Sequence, residues 1–405
     1  MAPDGQNGVR GGEAGWEKVK RARIAAAAMF LTNGAIYANM LPRLPEIKAD
    51  LALSNAAYGA SIAAFSVGAL GSGLTAGALI RRFQSSRVGV VATLGIALFV
   101  FAAAVAPSPV FFAVALFIAG AADSVTDVAQ NAHGLRVQRN YGRSIINSLH
   151  AVWSVGAVLG GLMGAGAIAL HIPRSTHLAV SGIVFGAVVL IAYPFLLRGP
   201  DRDDHPAAQT DGAEKSGFGV YAVLAALVGI AIAGAAVEDS GNSWATLYLR
   251  DSLTAPAALA AFGYIAMASF QFIGRFFGDR LVDRFGERSV ARAGGVVIAV
   301  GMGTALAFPT VPTTIAGFAA AGFGSATLIP AAMHGADQMR GLRPGTGLTI
   351  VTCLCRVGFL MSPVIVGVVA DATSLRVGLL MVPVVALVMV PLAGVLSGRR
   401  APTRS

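Results

Sequence analysis

Apolar stretches long enough to cross a bilayer recur from one end of this chain to the other, and nothing else in it restricts the fold so strongly. They lie near residues 22–41, 55–80, 87–106, 109–131, 146–170 and 176–197, then near 218–249, 257–278, 289–308, 312–335, 345–370 and 374–397. About twenty apolar residues carry an α-helix across roughly 30 Å of hydrocarbon. In lipid every backbone N–H and C=O needs an internal partner, which leaves helices or closed barrels. The period-two alternation of barrel strands is absent. The expected fold is therefore an all-α polytopic membrane protein with twelve transmembrane helices. A chain of 405 residues that is 55% hydrophobic and 12% charged suits no ordinary soluble domain.

The halves of the chain look duplicated. Residues 198–217, RGPDRDDHPAAQTDGAEKSG, form the one long polar segment and part six spans from six. AGALIRRFQSSR (76–87) and GDRLVDRFGERS (278–289) follow the second span of each half. Parallel repeats of this kind imply two pseudo-symmetric six-helix bundles. The expected divisions are a disordered cytoplasmic tail at 1–21, bundles at 22–197 and 218–397, a cytoplasmic linker at 198–217 and a cytoplasmic tail at 398–405.

Most of the 30 Lys and Arg fall on the side of the N-terminus, in the tail and in the loops around Arg81, Arg139, Arg202, Arg284 and Arg340. Only Arg43, Lys48, Arg174, Arg250 and Arg376 fall on the other side, and Arg275 and Arg356 lie within spans. By the positive-inside rule both termini are cytoplasmic. The net charge of +10 is scattered over loops, which argues against nucleic acid as a partner. No small-residue cleavage site follows a short apolar core near the N-terminus, so the first helix is read as retained. No P-loop, H-E-x-x-H or G-x-S-x-G occurs, so neither ATP hydrolysis nor an intramembrane enzyme is expected. Cys353 and Cys355 have no His or Cys cluster beside them, and no metal or cofactor is expected.

The polar residues inside the spans carry the functional reading. A carboxylate near mid-bilayer costs about 2.5–3.5 kcal/mol on insertion scales and is usually kept for a purpose. In AGAADSVTDVAQNAHG (119–134), Asp123, Asp127 and Asn131 are at i, i+4 and i+8, within about 80° on one helical face. They are candidates for proton or substrate binding; bonding to a neighbouring helix or loop cation is the alternative. In AAVEDSGNSWATLYLRD (235–251), Gly241 beside polar residues suggests a helix break lined by Glu238, Asn242 and Trp244. Arg356 needs a partner within the membrane; Glu238 is the expected one, with Asp239 or an anionic solute as alternatives. His150 and Trp153 share a face three residues apart, and Asn33 and Tyr37 add an amide and a ring that suit a small polar solute. His150 can equally be a helix–helix hydrogen-bonder, and Gly156, Gly160 and Gly164 read as close packing.

Leu281, Asp283, Arg284, Gly286 and Arg288 resemble the G-x-L-A-D-R-x-G-R-K loop of the major facilitator superfamily. There are departures: Gly278 is one position further from the acid, and Arg81 and Ser85 or Ser86 stand where the first-half acid and glycine belong. NGAIYANMLPRLPEIKADLALSNAAYG (33–59), DVAQNAHG (127–134), SLHAVWSVGAVLGG (148–161) and GRFFGDRLVDRFG (274–286) resemble the rhizopine-locus branch of that superfamily and, more remotely, proton-coupled fucose permease. The resemblance implies the major facilitator fold, a cavity lined by the first, fourth, seventh and tenth helices, and alternating access. It implies a bacterial plasma-membrane protein, expected to be a monomer, with protons, a small-molecule substrate and the lipid bilayer as partners. Asp127 and Asn131 match the permease's carboxylate–asparagine spacing, Glu238 has a counterpart in the branch, and Arg356 stands where the branch is usually uncharged. Proton-coupled symport of a sugar-like solute is the leading reading; a drug- or metabolite-exporting antiporter and a non-transporting sensor are the alternatives. Gly160 and Gly161 lack the proline of the exporters' G-P-x-x-G-G element, which favours uptake.

The topology is checked by cysteine labelling. Arg82→Cys and Arg284→Cys should resist a membrane-impermeant thiol reagent in intact cells and react once the membrane is permeabilised; labelling of either from outside rejects the orientation.

Overall fold

The computed structural model describes residues 6–199, 218–339, 342 and 345–398, with no strand among them. The first sequence half supplies α1 (Gln6–Met40), α2 (Leu44–Asp50), α3 (Asn55–Phe83), α4 (Ser85–Ala104), α5 (Pro109–Tyr141), α6 (Ile146–Ala169) and α7 (Arg174–Ala192). The second supplies α8 (Phe218–Leu247), α9 (Ala257–Ala260), α10 (Phe262–Phe285), α11 (Glu287–Ala307), α12 (Val311–Ser325), α13 (Leu328–Asp337), α14 (Thr346–Ala372), α15 (Leu375–Gly378) and α16 (Met381–Leu392). Among the described residues eleven segments are long and apolar enough to cross a membrane. Counting α3, bent by 56° between Asn55–Gly73 and Thr75–Phe83, as one span brings the number to twelve.

Local chemistry sets the helix ends. Ser108 accepts a hydrogen bond from the Phe111 N–H with Pro109 behind it, and α5 stops at Gly142, whose φ of 71° is left-handed; this is a capped start and a glycine stop. Thr310 and Thr313 form a reciprocal capping box at the start of α12. Two expectations fail. Helix α1 begins at Gln6, inside the segment expected to be disordered. There Trp16 stacks on Tyr141 at 5.1 Å, Lys20 pairs with Glu17 at 2.7 Å, and Arg23 donates to the Tyr141 hydroxyl at 2.8 Å. These contacts supply order that composition does not reveal. Helix α8 also runs unbroken through Gly241, whose missing Cβ makes room for the Met267 side chain of α10. Residues 1–5, the linker from 200 to 217 and the tail from 399 lie outside the described residues.

Contacts group the chain into two compact units. One holds Met1–Met40, Val67–Met163 and Ile172–Asp203; the other holds Leu41–Ser66, Gly164–His171 and Asp204–Ser405. In the first, α1 and α6 approach through glycines at which a Cβ would meet backbone: Gly34 at the Trp153 carbonyl, Gly156 at that of Leu31, Gly160 at that of Ala35. Phe30, Val137, Ile145 and Leu149 pack beside this seam, and Met29, Val90, Val189 and Leu196 form a second apolar cluster. In the second unit α2 and the start of α3 pack with the later helices, and Tyr58 and Trp244 meet edge to face at 5.0 Å.

Gly156→Leu should therefore destabilise by about 1–3 kcal/mol through overpacking. Gly166→Leu, where a side chain meets open space, should change little. Melting temperatures of the two purified variants in detergent provide the comparison.

Candidate functional site

The acids of α5 do not stand alone. Asn33 Nδ2 donates to Asp123 Oδ1 at 2.9 Å, and Trp153 Nε1 donates to Asn33 Oδ1 at 2.7 Å. Gln130 Nε2 reaches Asn33 Oδ1 at 3.3 Å and Asp127 Oδ1 at 3.5 Å. Asn131 Nδ2 donates to Asp127 Oδ1 at 2.9 Å, and Asn131 Oδ1 lies 3.0 Å from His150 Nε2. Asp123, Asn33, Trp153, Gln130, Asp127, Asn131 and His150 thus form one connected chain across α1, α5 and α6, all within the first unit. The amide of Asn131 is oriented by its bond to the carboxylate, so its oxygen faces His150 and the imidazole carries its proton on Nε2.

Burial explains why so many amides gather here. Asn33 is 6% exposed and Gln130 1%, and a buried amide without partners is costly. A pattern of acids alone misses Gln130, although it lies seven residues beyond Asp123, within about 20° of it around the helix. Attention to amides on the acidic stripe finds it. Asp123 and Asp127 are partly buried and His150 is exposed, so the chain runs from the helix interior to accessible space. Tyr37, one turn beyond Asn33 on α1, is also partly buried.

A second polar cluster occupies α8 and α10. Glu238 Oε2 accepts from Gln271 Nε2 at 2.7 Å and pairs with Arg275 Nη2 at 3.4 Å. Arg356 makes no ion pair among the described residues, so its expected bridge to Glu238 is not found; Arg275 takes that place. Gln271 and Arg275 are one turn apart on α10 and reach the carboxylate together, whereas Arg356 is carried by α14. An i, i+4 spacing in FQFIGRF (270–276), the same that separates Asp127 from Asn131, puts Gln271 and Arg275 on one helical face without saying which acid they meet. Asp239 is buried and accepts from Ser243 Oγ at 3.1 Å. Trp244 is wholly buried against Tyr58, while Asn242 is only partly buried.

The loop residues join helices rather than line either cluster. Gly286 links α10 to α11 at a φ of 82°, which glycine adopts without strain; the first-half counterpart is Gln84, at a φ of 74°, and not the expected Ser85 or Ser86, which already belong to α4. Arg288 donates from Nε to the Leu396 carbonyl at 3.1 Å. Arg284 lies over the Phe285 ring at 5.3 Å, and Asp283 is exposed. Beside this loop Glu287 bonds His334 and accepts from Ser397 Oγ at 2.7 Å. In the first half Ser85 bonds His133 at 3.2 Å. Both histidines precede a glycine, so the duplication extends to a bonded site with different chemistry in each copy. Among the described residues no three His, Cys, Asp or Glu side chains are placed to hold a metal.

Comparison with known proteins agrees with the helical fold. The sequence profile described as Major Facilitator Superfamily matches residues 25–270 and 227–405. The chain is 29% identical over 371 residues to an uncharacterized transporter of Sinorhizobium fredii, covering 91% of this chain and 97% of the relative. It is 29% identical over 372 residues to the membrane protein MosC of Rhizobium meliloti, covering 90% and 88%. Among solved structures, a variant of the nucleoside transporter NupG superimposes with a TM-score of 0.74 at 13% identity, over 92% of this chain and 99% of that one. A bacterial homolog of the human lysosomal transporter Spinster, inward-facing and occupied, gives 0.72 at 13% identity, over 92% and 95%.

The Glu238–Arg275 pair can be checked by a double-mutant cycle. Arg275→Met should lower the melting temperature more than Arg275→Met with Glu238→Gln, because the single change leaves a carboxylate only 15% exposed without its cation. Arg275 is partly solvated, so the coupling should be near 1 kcal/mol; additive losses refute it.

Proposed function

This chain is a transporter of the major facilitator superfamily, and on that premise we propose that it takes up a small polar, sugar-like solute by proton-coupled alternating access in the bacterial plasma membrane. The observation that carries the reading is the hydrogen-bonded chain from Asp123 to His150. It brings a protonatable acid, amides of both polarities, an imidazole and an indole together on three helices. Hydroxyl-rich solutes need such a set of donors and acceptors beside an aromatic face. The cation distribution supports both termini in the cytoplasm, and a single chain holding both repeats supports a monomer.

Asp127 is the coupling residue in this reading. Its Oδ1 is held by Asn131 and Gln130, which leaves Oδ2 to accept a proton and meet the solute. Closure around the protonated acid buries a neutral group and avoids the cost of a bare charge. Asn131 and His150 continue the chain from the acid to accessible space, so the presence of solute at one end alters the hydrogen bonds at the other. Glu238, held by Arg275, serves as a fixed charge pair in the second unit. Asn33, Tyr37, Asn131, His150 and Trp153 remain the proposed solute ligands.

In proteoliposomes Asp127→Asn should preserve solute binding and exchange but abolish accumulation driven by a pH gradient. Undiminished accumulation by that variant transfers the coupling role to Asp123 or Glu238. The solute is found first by thermal stabilisation, since a binder of the native state raises apparent stability; stabilisation by large amphipathic cations and not by sugars favours export.

A further inference from the structure

The first turn of α3 is capped by a side chain 316 positions away. The Asn55 N–H donates to Asp371 Oδ1 and the Ala56 N–H to Asp371 Oδ2, each at 2.8 Å. Both oxygens of one carboxylate thus satisfy two of the donors that a helix start leaves open. A charged acceptor there bonds more strongly than a neutral one and meets the positive end of the helix dipole.

The bonds sit at the end of a close seam. Gly367 of α14 admits the Asn55 backbone, and Gly59 of α3 lies on the Pro363 carbonyl. The Tyr58 hydroxyl donates to the Ser243 carbonyl at 2.7 Å, and Ser66 Oγ donates to that of Phe359 at 3.3 Å. The interior of the seam is neutral hydrogen bonds and ring contacts, while Asp371 adds a charge at its exposed rim. Water can replace the protein at that rim on either side of the bond, so breaking it strands no buried group.

We propose that Asp371 is a gate latch, a positioning residue that caps α3 while the outer side of the transporter is closed and releases it when that side opens. The proposal rests on alternating access with cytoplasmic termini, which puts the start of α3 on the outer side. A permanent structural cap, by contrast, stays bonded in every state.

The reporter is Ser243→Cys, placed in a Cys353→Ser/Cys355→Ser background and labelled in intact cells with a membrane-impermeant maleimide. Ser243 is 5% exposed under Tyr58, so the parent should label slowly. Asp371→Asn, which keeps only one acceptor oxygen, should raise the rate about tenfold by favouring the open state. Asn55→Pro should act in the same direction, because proline at the first helical position removes one donor yet suits the helix. Asp371→Glu should stay near the parent rate. A lowered melting temperature with unchanged labelling in both Asp371→Asn and Asn55→Pro makes Asp371 a permanent cap and overturns the latch. Gly367→Trp separates this failure from a failure of alternating access, because its bulk wedges the seam directly. If the wedge raises labelling and Asp371→Asn does not, the latch alone is wrong; if neither does, the seam does not open and both readings fall.

Discussion

Hydrocarbon cannot solvate a polar group, and that constraint organises everything in this protein. For the backbone it enforces helices in the spans of the described chain. For side chains it favours bonds between polar residues within the spans. Asn33 uses its oxygen and its nitrogen at once, bonding Trp153 and Asp123. Glu238 collects both Gln271 and Arg275. A cluster assembled under that pressure holds its donors and acceptors in defined directions, which is the arrangement that recognition of a polar solute requires.

Because lipid and side chain are equally apolar, close packing rather than water exclusion must hold the helices together. The glycines of α1 and α6 do this by letting backbones touch, and the same seam carries Asn33 and Trp153 into bonding range. Packing and chemistry are therefore coupled: a shift along the Gly34–Gly156 contact moves the indole that fixes Asn33. In α8 the same device has another outcome, since Gly241 receives Met267 and the helix is continuous.

Duplication conserves positions more than chemistry. Gly286 and Gln84 both turn the chain with positive φ between adjacent helices, although only glycine does so without strain. His133 and His334 each bond the start of an earlier helix in their half, one reaching Ser85 of α4 and the other Glu287 of α11. The two halves likewise hold intramembrane acids in different company. Asp127 has amide partners, whereas Glu238 has an amide and a guanidinium.

Span positions, the stripe of Asp123, Asp127 and Asn131, and the packing glycines were legible in the sequence, because hydropathy and helical period belong to a segment and its solvent. The partners were not. Arg275 rather than Arg356 meets Glu238, Trp244 is covered by Tyr58, α3 starts against α14, and Asp371 caps a helix from the far end of the chain. Each of these depends on which helix faces meet and at what depth. A buried charge will accept any partner of the right polarity within reach, so the sequence by itself determined which spans carry polar groups, and only the tertiary structure decided which of them meet.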